Sequence, residues 1–271
     1  MIDKRRAEEV FYAYTNRYDP DNSMISHKIE HTFRVAGNCE QIAVSLDMNS
    51  DLTEFAWFLG LLHDIGRFEQ VRRYGTFVDS VSVDHAEFGA DLLFNEGLIR
   101  SFPVGNLSEE WLSLLETAIR LHNKLRLPED QDERTRCFCE IIRDADKLDI
   151  FRVVYELPFE KRIGSSRNLL QEEGEAGSAV MDCVLQHRCV PREFLKNRFE
   201  GRIAHCCMAF ELVFPESRRI AREQGFLSGL LAEYDAGGKT EWNEKERTQL
   251  RVVRKEIEKA WGEPLKNGGI D

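Results

Sequence analysis

The 271-residue chain lacks most of what would place a protein in a membrane, outside the cell or on a nucleic acid. No apolar run approaches the ~18 residues that a membrane span needs. The opening stretch MIDKRRAEEV is basic, then acidic, with no apolar segment behind it. No signal peptide and no membrane partner are therefore expected, and the cytoplasm is the expected location. Positive charge is scarce: 37 Lys and Arg against 48 Asp and Glu leave a net charge of −11. A nucleic-acid binder shows a basic surplus or stripe, so no nucleic-acid partner is expected. An acidic protein can still bind a small phosphorylated ligand where a local pocket is basic or holds a metal. The seven cysteines are an odd number and are not spaced as a disulfide framework, which suits a reducing compartment. Cys137 and Cys139 lack the spacer of a structural zinc pair and have no second pair beside them. Internal repeats and low-complexity tracts are absent, and strand signals are few.

What the sequence does have is helical periodicity. Ala7, Val10, Phe11 and Tyr14 form an i, i+3, i+4, i+7 stripe over residues 4–17, and Ile29, Phe33, Ala36, Ile42, Ala43 and Leu46 continue the pattern over 28–47. The segment 52–64 starts after an acid cap and is apolar almost all round, which predicts a central helix. Gly66 follows it in the manner of a C-terminal glycine. Residues 65–83 read as a loop or a broken helix. Further helices are expected at 84–95, 108–122, 133–156, 176–187, 192–213, 216–234 and 241–261, with Pro158 ending the long one. The segment 234–243 is the best linker. The expected organisation is a single all-α domain over 1–234 with a metal-site core at about 25–150, then a charged C-terminal helix or extension over 235–271. That last helix is compatible with a partner surface, a homo-oligomer included.

LLHDIG, Leu61–Gly66, sets a histidine beside an aspartate at the end of the most apolar segment. Neighbours in sequence lie about 100° apart on a helix, so both reach one point only where the helix is ending. His31, His85 and His122 also stand on or at the ends of helices expected to be buried, and Asp144 and Asp146 lie inside an apolar helix. Taken singly, each histidine reads more readily as a surface or satisfied core residue; His187 and His205 stay in that class. Together they are costly to bury unless paired or bound to metal. Imidazole with carboxylate suits Mn, Fe, Co, Ni or Zn, and added oxygen ligands admit Mg.

The contexts HTFRVA around His31, LLHDIG around His63 and Asp64, and DADKLD around Asp146 occur in an order that resembles the HD-domain metal-dependent phosphohydrolase superfamily. The resemblance covers about residues 25–150 and implies an all-α, HD-domain-like helical bundle. It implies His31, His63, Asp64 and Asp146 as ligands of one divalent metal, with Asp146 preferred over Asp144 because Ala145-Asp146-Lys147 matches the family context. The order H, HD, H, H, D resembles the two-metal branch, in which Asp64 bridges and His85 and His122 hold a second ion. The alternative is that these two histidines line the pocket above a single ion. The chain departs from the cyclic-dinucleotide phosphodiesterase branch: it has no Gly-Tyr-Pro motif, and Asn123 follows His122.

The implied activity is hydrolysis of a phosphate ester of a small molecule, a nucleotide among them, by hydroxide on a metal that lowers the pKa of its water toward ~7. Asp64, His63 and Lys147 are the expected catalytic residues, with Lys147 pairing Asp64 or a phosphate. Arg34, Arg67, Arg72 and Lys124 are the expected substrate contacts, and Arg73 joins Arg67 and Arg72 in a clamp-like loop. That loop reads equally as a solvated basic turn. Two other functions fit the same residues: a di-iron oxygenase of the same fold, and a non-catalytic module that binds a nucleotide or a partner.

Overall fold

A computed structural model describes residues 2–156, 174–232 and 242–266. The expected helix end at Pro158 and the boundary at 234/235 lie outside the described residues. Among the described residues the regular structure is helical, with no strand. The chain divides into two compact units, Met1–Asp146 and Lys147–Asp271.

In the first unit, α1 (Lys4–Thr15) buries Ala7, Phe11 and Tyr14, and α2 (Ser23–Ser45) buries a stripe from Ile25 through His31, Val35, Ala36, Cys39 and Ile42. α3 (Ser50–Leu62) is buried from Phe55 to Leu62 without a break, as a helix surrounded by others must be. Asn49 caps its start by accepting from Leu52 N at 3.0 Å. α2 and α3 pack backbone to backbone at one point. A Cβ on Gly60 would stand 2.6 Å from Ala36 Cα and 2.9 Å from Ala36 N, so only glycine admits the approach.

Within 65–83, which the sequence suggests is a loop or a broken helix, residues 65–74 form a helix, α4 (Ile65–Tyr74), and Asp79–Val81 a short 3₁₀ turn. Its inward face carries Ile65, Phe68 and Val71, but also the buried polar Glu69 and Gln70, which disguise the period. Gly66 is not a cap of α3: it lies in the first turn of α4 and touches α5 (His85–Ala90). A Cβ there would stand 2.6 Å from both Gly89 N and His85 O. The cap role falls to Gly75, in the left-handed region at φ 65°, whose N–H reaches Val71 O at 2.8 Å.

α5 continues into a single π-type turn over Asp91–Asn95. α6 (Glu109–Leu121) buries Leu114, Leu115, Ala118 and Ile119. Arg120 ties it to α5 by bonding Glu87 and Asp91 at 2.8 Å each. α7 (Glu133–Glu156) is joined to α2 by a bond from Asn38 Nδ2 to Ala145 O at 3.2 Å.

In the second unit, α8 (Ser178–Leu185), α9 (Arg198–Cys207), α10 (Pro215–Gln224), α11 (Phe226–Leu230) and α12 (Glu244–Trp261) follow. The stretch expected as one helix over 192–213 is α9 flanked by two short 3₁₀ turns. α12 is charged outside, yet its stripe of Leu250, Val253, Ile257 and Trp261 is buried within its own unit, and Trp261 Nε1 donates to Ala209 O at 3.0 Å. Asn197 and Asn243 each open a helix with a reciprocal capping box.

Candidate metal centre

The ligand-type side chains of the first unit come from several helices and converge. His31 lies mid-helix on α2, His63 ends α3, Asp64 precedes α4, His85 opens α5, His122 ends α6 and Asp146 lies on α7. Adjacent residues share this point because the helix breaks between them: His63 is still helical at φ −54° and ψ −40°, whereas Asp64 sits at φ −104° and ψ 17°. The Gly60–Ala36 contact fixes His31 opposite His63, and the Gly66–Gly89 contact fixes His85 beside Asp64.

The geometry falls into two groups around the Asp64 carboxylate. On one side Oδ2 lies 3.4 Å from His31 Nε2 and 3.5 Å from His63 Nε2, and His31 Nε2 lies 3.2 Å from Asp146 Oδ1. On the other side Oδ1 lies 3.5 Å from His85 Nε2 and 3.9 Å from His122 Nε2. Among the described residues, groups of side chains that could hold a metal ion, with ligand atoms mutually within 4.8 Å, include His31–His63–Asp64, His63–His122–Asp146 and Asp64–His85–His122. Among the described residues, Cys137 and Cys139 belong to no such group. Asp144 is fully buried on α7 and enters none either.

The proton positions follow from the partners. His63 Nδ1 meets Gly60 O at 2.7 Å, His122 Nδ1 meets Ile119 O at 2.7 Å, and His85 Nδ1 meets Asp79 Oδ2 at 2.6 Å. These oxygens only accept, so each Nδ1 carries a hydrogen, and a neutral His85 or His122 then presents an Nε2 lone pair. Burial and the nearby Arg67 push the His85 imidazole toward the neutral form, and burial with His85 and His63 pushes His122 down to about 3. Burial favours a protonated Asp64, but Lys28 and His63, with bonding from His31, hold it well below the usual carboxylate range. Burial acts the same way on Asp146, and His31 overrides it there.

The consequence is a cluster of acceptors that face one another. His85 Nε2 and His122 Nε2 stand 3.1 Å apart, lone pair to lone pair, beside the ionised Asp64. His63 Nε2 and Asp64 Oδ1 are buried with no hydrogen-bond partner. Two imidazole nitrogens bound to one ion at ~2.1 Å, at a right angle, stand ~3.0 Å apart. The residues present therefore fit a cation on each side of Asp64.

Three basic or acidic residues around this cluster escape a reading of the sequence. Lys28, one turn before His31, donates to Asp64 Oδ2. Its spacing of three from His31 is a usable signal, since both lie on one face of α2. Asp79 accepts from His85 and, through Oδ1, from Arg67 Nη1 at 2.8 Å and Gln70 Nε2 at 3.0 Å. Asp84 caps α5 and pairs with Lys124 at 2.7 Å.

The expected cations divide. Arg67 points inward, with Nε 3.5 Å from Asp64 Oδ1. Arg72 and Arg73 form no clamp: on α4 they both turn back to Glu69, at 2.7 and 2.6 Å. Lys124 engages Asp84 and Glu87, and Arg34 lies 3.5 Å from Glu30. Lys147, one position past Asp146 and so turned about 100° away, lies 3.6 Å from Glu211; the lysine at Asp64 is Lys28.

Fold and site together define a helical protein built around a buried histidine–carboxylate cluster. Residues 29–150 match the family model of the HD domain, so this segment of the chain is similar to HD domains. No curated protein matches the chain. Among solved structures, the crystal structure of a predicted HD superfamily hydrolase from an uncultured Thermotogales bacterium is 22% identical, with 80% of this chain and 92% of that one covered at a TM-score of 0.38. Among the described residues, no helix is long and apolar enough to cross a membrane.

Proposed function

We propose that the protein is a metal-dependent phosphohydrolase that acts on a small phosphorylated molecule, with nucleotides the first class to test. The observation that supports this most is the convergence of His85 Nε2, His122 Nε2 and Asp64 Oδ1 in a buried space where all three are acceptors. Such an arrangement is held together by a cation.

Bound divalent ions supply charge for a phosphoryl oxygen and an acidified water. The protein's own part is to hold the donor atoms and to present cations. Asp64 spans both groups, with Oδ2 toward His31 and His63 and Oδ1 toward His85 and His122. Its depressed pKa keeps it ionised at neutral pH. Lys28 and Arg67 flank the Phe77 ring, 5.7 and 5.5 Å from its centroid. The Lys28 side chain keeps a fifth of its surface exposed, so it can turn from Asp64 to an incoming phosphate. Arg67 is the more fixed of the two, bound to Gln70, Asp79 and the Phe77 carbonyl.

The test is metal content by elemental analysis of protein purified without chelator or affinity nickel, followed by a screen of phosphate monoesters and nucleotides with Mn²⁺ or Co²⁺ restored. Two ions per chain and turnover that Asp64→Ala abolishes, with helical signal retained, is the expected result. Metal content and turnover near the parent's in Asp64→Ala would refute the site. A di-iron oxygenase is the second reading, favoured by the four imidazoles and an Asp64 carboxylate that faces both groups, a donor set that also suits iron. Tightly bound iron with oxygen uptake would replace the first reading.

A further inference from the structure

Three of the histidine ligands hold their Nδ1 hydrogens on defined partners, and one of those partners differs in kind. His63 and His122 donate to main-chain carbonyls three residues back in their own helices. His85 donates to a carboxylate, Asp79, brought in from a separate 3₁₀ turn, Asp79–Val81. That carboxylate is itself held on its other oxygen by Arg67 and Gln70. Gln70 is fully buried and also donates to Ser82 Oγ at 2.9 Å and Val83 O at 3.1 Å, while Arg67 also binds Phe77 O at 2.7 Å. The segment between α4 and α5 is thus closed onto α4 by two side chains that meet at Asp79.

From this we infer that Asp79 is a positioning residue that sets the affinity of one side of the centre, the His85–His122 side, and leaves the His31–His63–Asp146 side untouched. The inference rests on the two-ion reading of the proposed function. A carboxylate on Nδ1–H locks the tautomer that points Nε2 inward and makes that nitrogen a stronger donor. Loss of such a partner typically weakens metal binding 10- to 100-fold. The Nδ1 of His63 is served by a main-chain carbonyl instead. The two ions therefore respond differently to one substitution made outside the ligand set, and in the turn that Arg67 and Gln70 hold, loop order and occupancy of one ion become a single property.

The experiment titrates the full-length, chelator-treated chain with Mn²⁺, counting free Mn²⁺ by electron paramagnetic resonance, for the parent, Asp79→Asn and Asp79→Ala. Circular dichroism checks the fold of each. The parent should bind two Mn²⁺. Asp79→Ala should bind one with parent-like affinity and the other 10- to 100-fold more weakly. Asp79→Asn, whose amide oxygen still accepts from His85, should fall between and keeps the test open if the alanine variant does not fold. Histidine ¹⁵N spectra of the metal-free proteins give a second readout: the His85 resonances should show the Nδ1–H form in the parent and a tautomer mixture in Asp79→Ala. Two parent-like sites in both variants would overturn the inference while leaving the two-ion reading in place. Equal weakening of both ions would overturn it too, because that is the mark of a general structural role. A parent that binds fewer than two ions would remove the two-ion reading, and the inference with it.

Discussion

Gly66→Ala adds a single methyl group and should do measurable damage, whereas the same change at Gly37 should help. A Cβ at position 66 would stand 2.6 Å from Gly89 N, 2.6 Å from His85 O and 2.8 Å from Gly89 Cα, where ordinary contact begins at 3.4 Å. All three are main-chain atoms, so no side chain can swing away. α4 and α5 must separate locally by roughly 0.8 Å, the difference between those distances, or distort. Overpacking of this kind costs about 1–3 kcal/mol. Helix propensity returns about 0.5–1 kcal/mol of it. The net loss of about 1–2 kcal/mol should lower Tm by about 2–8 °C for a unit of this size. Gly37 lies mid-helix on the exposed face of α2 with nothing within 4 Å of its Cβ position. Gly37→Ala should gain the propensity term alone and raise Tm by about 1–4 °C. Thermal unfolding by circular dichroism compares the two directly. Mn²⁺ titration adds the functional half, since displacement of α5 carries His85 with it and should weaken one ion and not the other. Equal stability of the two variants would refute the reasoning, and with it the account of how α5 is brought to Asp64.

His85→Ala should reduce the metal content from two ions to one, as read by elemental analysis, with the His31 side retained. Two ions in this variant would show that His85 is no ligand. Lys28→Met should retain both ions and reduce kcat/KM for a phosphorylated substrate by about 10- to 100-fold, the worth of a hydrogen bond to a charged group; unchanged kinetics would remove Lys28 from the substrate site. Glu69 bonds Arg72 and Arg73, and these contacts, Arg72 first and against burial, lower its carboxyl to about 2 from the ordinary 4.5. A carboxylate with a lowered folded-state pKa stabilises the fold above about pH 4.5, and that contribution is lost as pH falls toward 2. Because both arginines are largely solvated, about 1 kcal/mol is a fair measure. Glu69→Gln should therefore narrow the stability difference between pH 6 and pH 3 in urea titrations.

Most helices and the ligand-type residues are readable in the sequence because each carries a local signature. An apolar stripe, a cap or a His-Asp pair at the end of a buried helix can be seen in ten or twenty residues. α4 reads only as a loop or a broken helix, because two positions on its inward face, Glu69 and Gln70, are polar and buried for reasons that lie elsewhere in the fold. Gly66 passes for a cap because a glycine that admits a neighbouring backbone looks the same in sequence as one that ends a helix. The arginines at 67, 72 and 73 look alike in the sequence, yet on a helix they point in different directions, one to Asp64 and two to Glu69. Lys28 can be found from its spacing to His31. Asp79 cannot, since nothing within its own turn announces that it meets a histidine six residues on.

The contact between Gly60 and Ala36 bears on how such a centre tolerates change over time. Where helices meet through side chains, their spacing depends on side-chain volumes, which drift whenever Leu becomes Ile or Val. At this crossing the spacer is main chain against main chain, and every amino acid has the same main chain. His31 and His63 are therefore held apart by a gauge that substitution at surrounding core positions does not recalibrate. The protein can exchange much of its apolar filling while two of its ligands keep their separation, provided that one residue on α3 has no side chain.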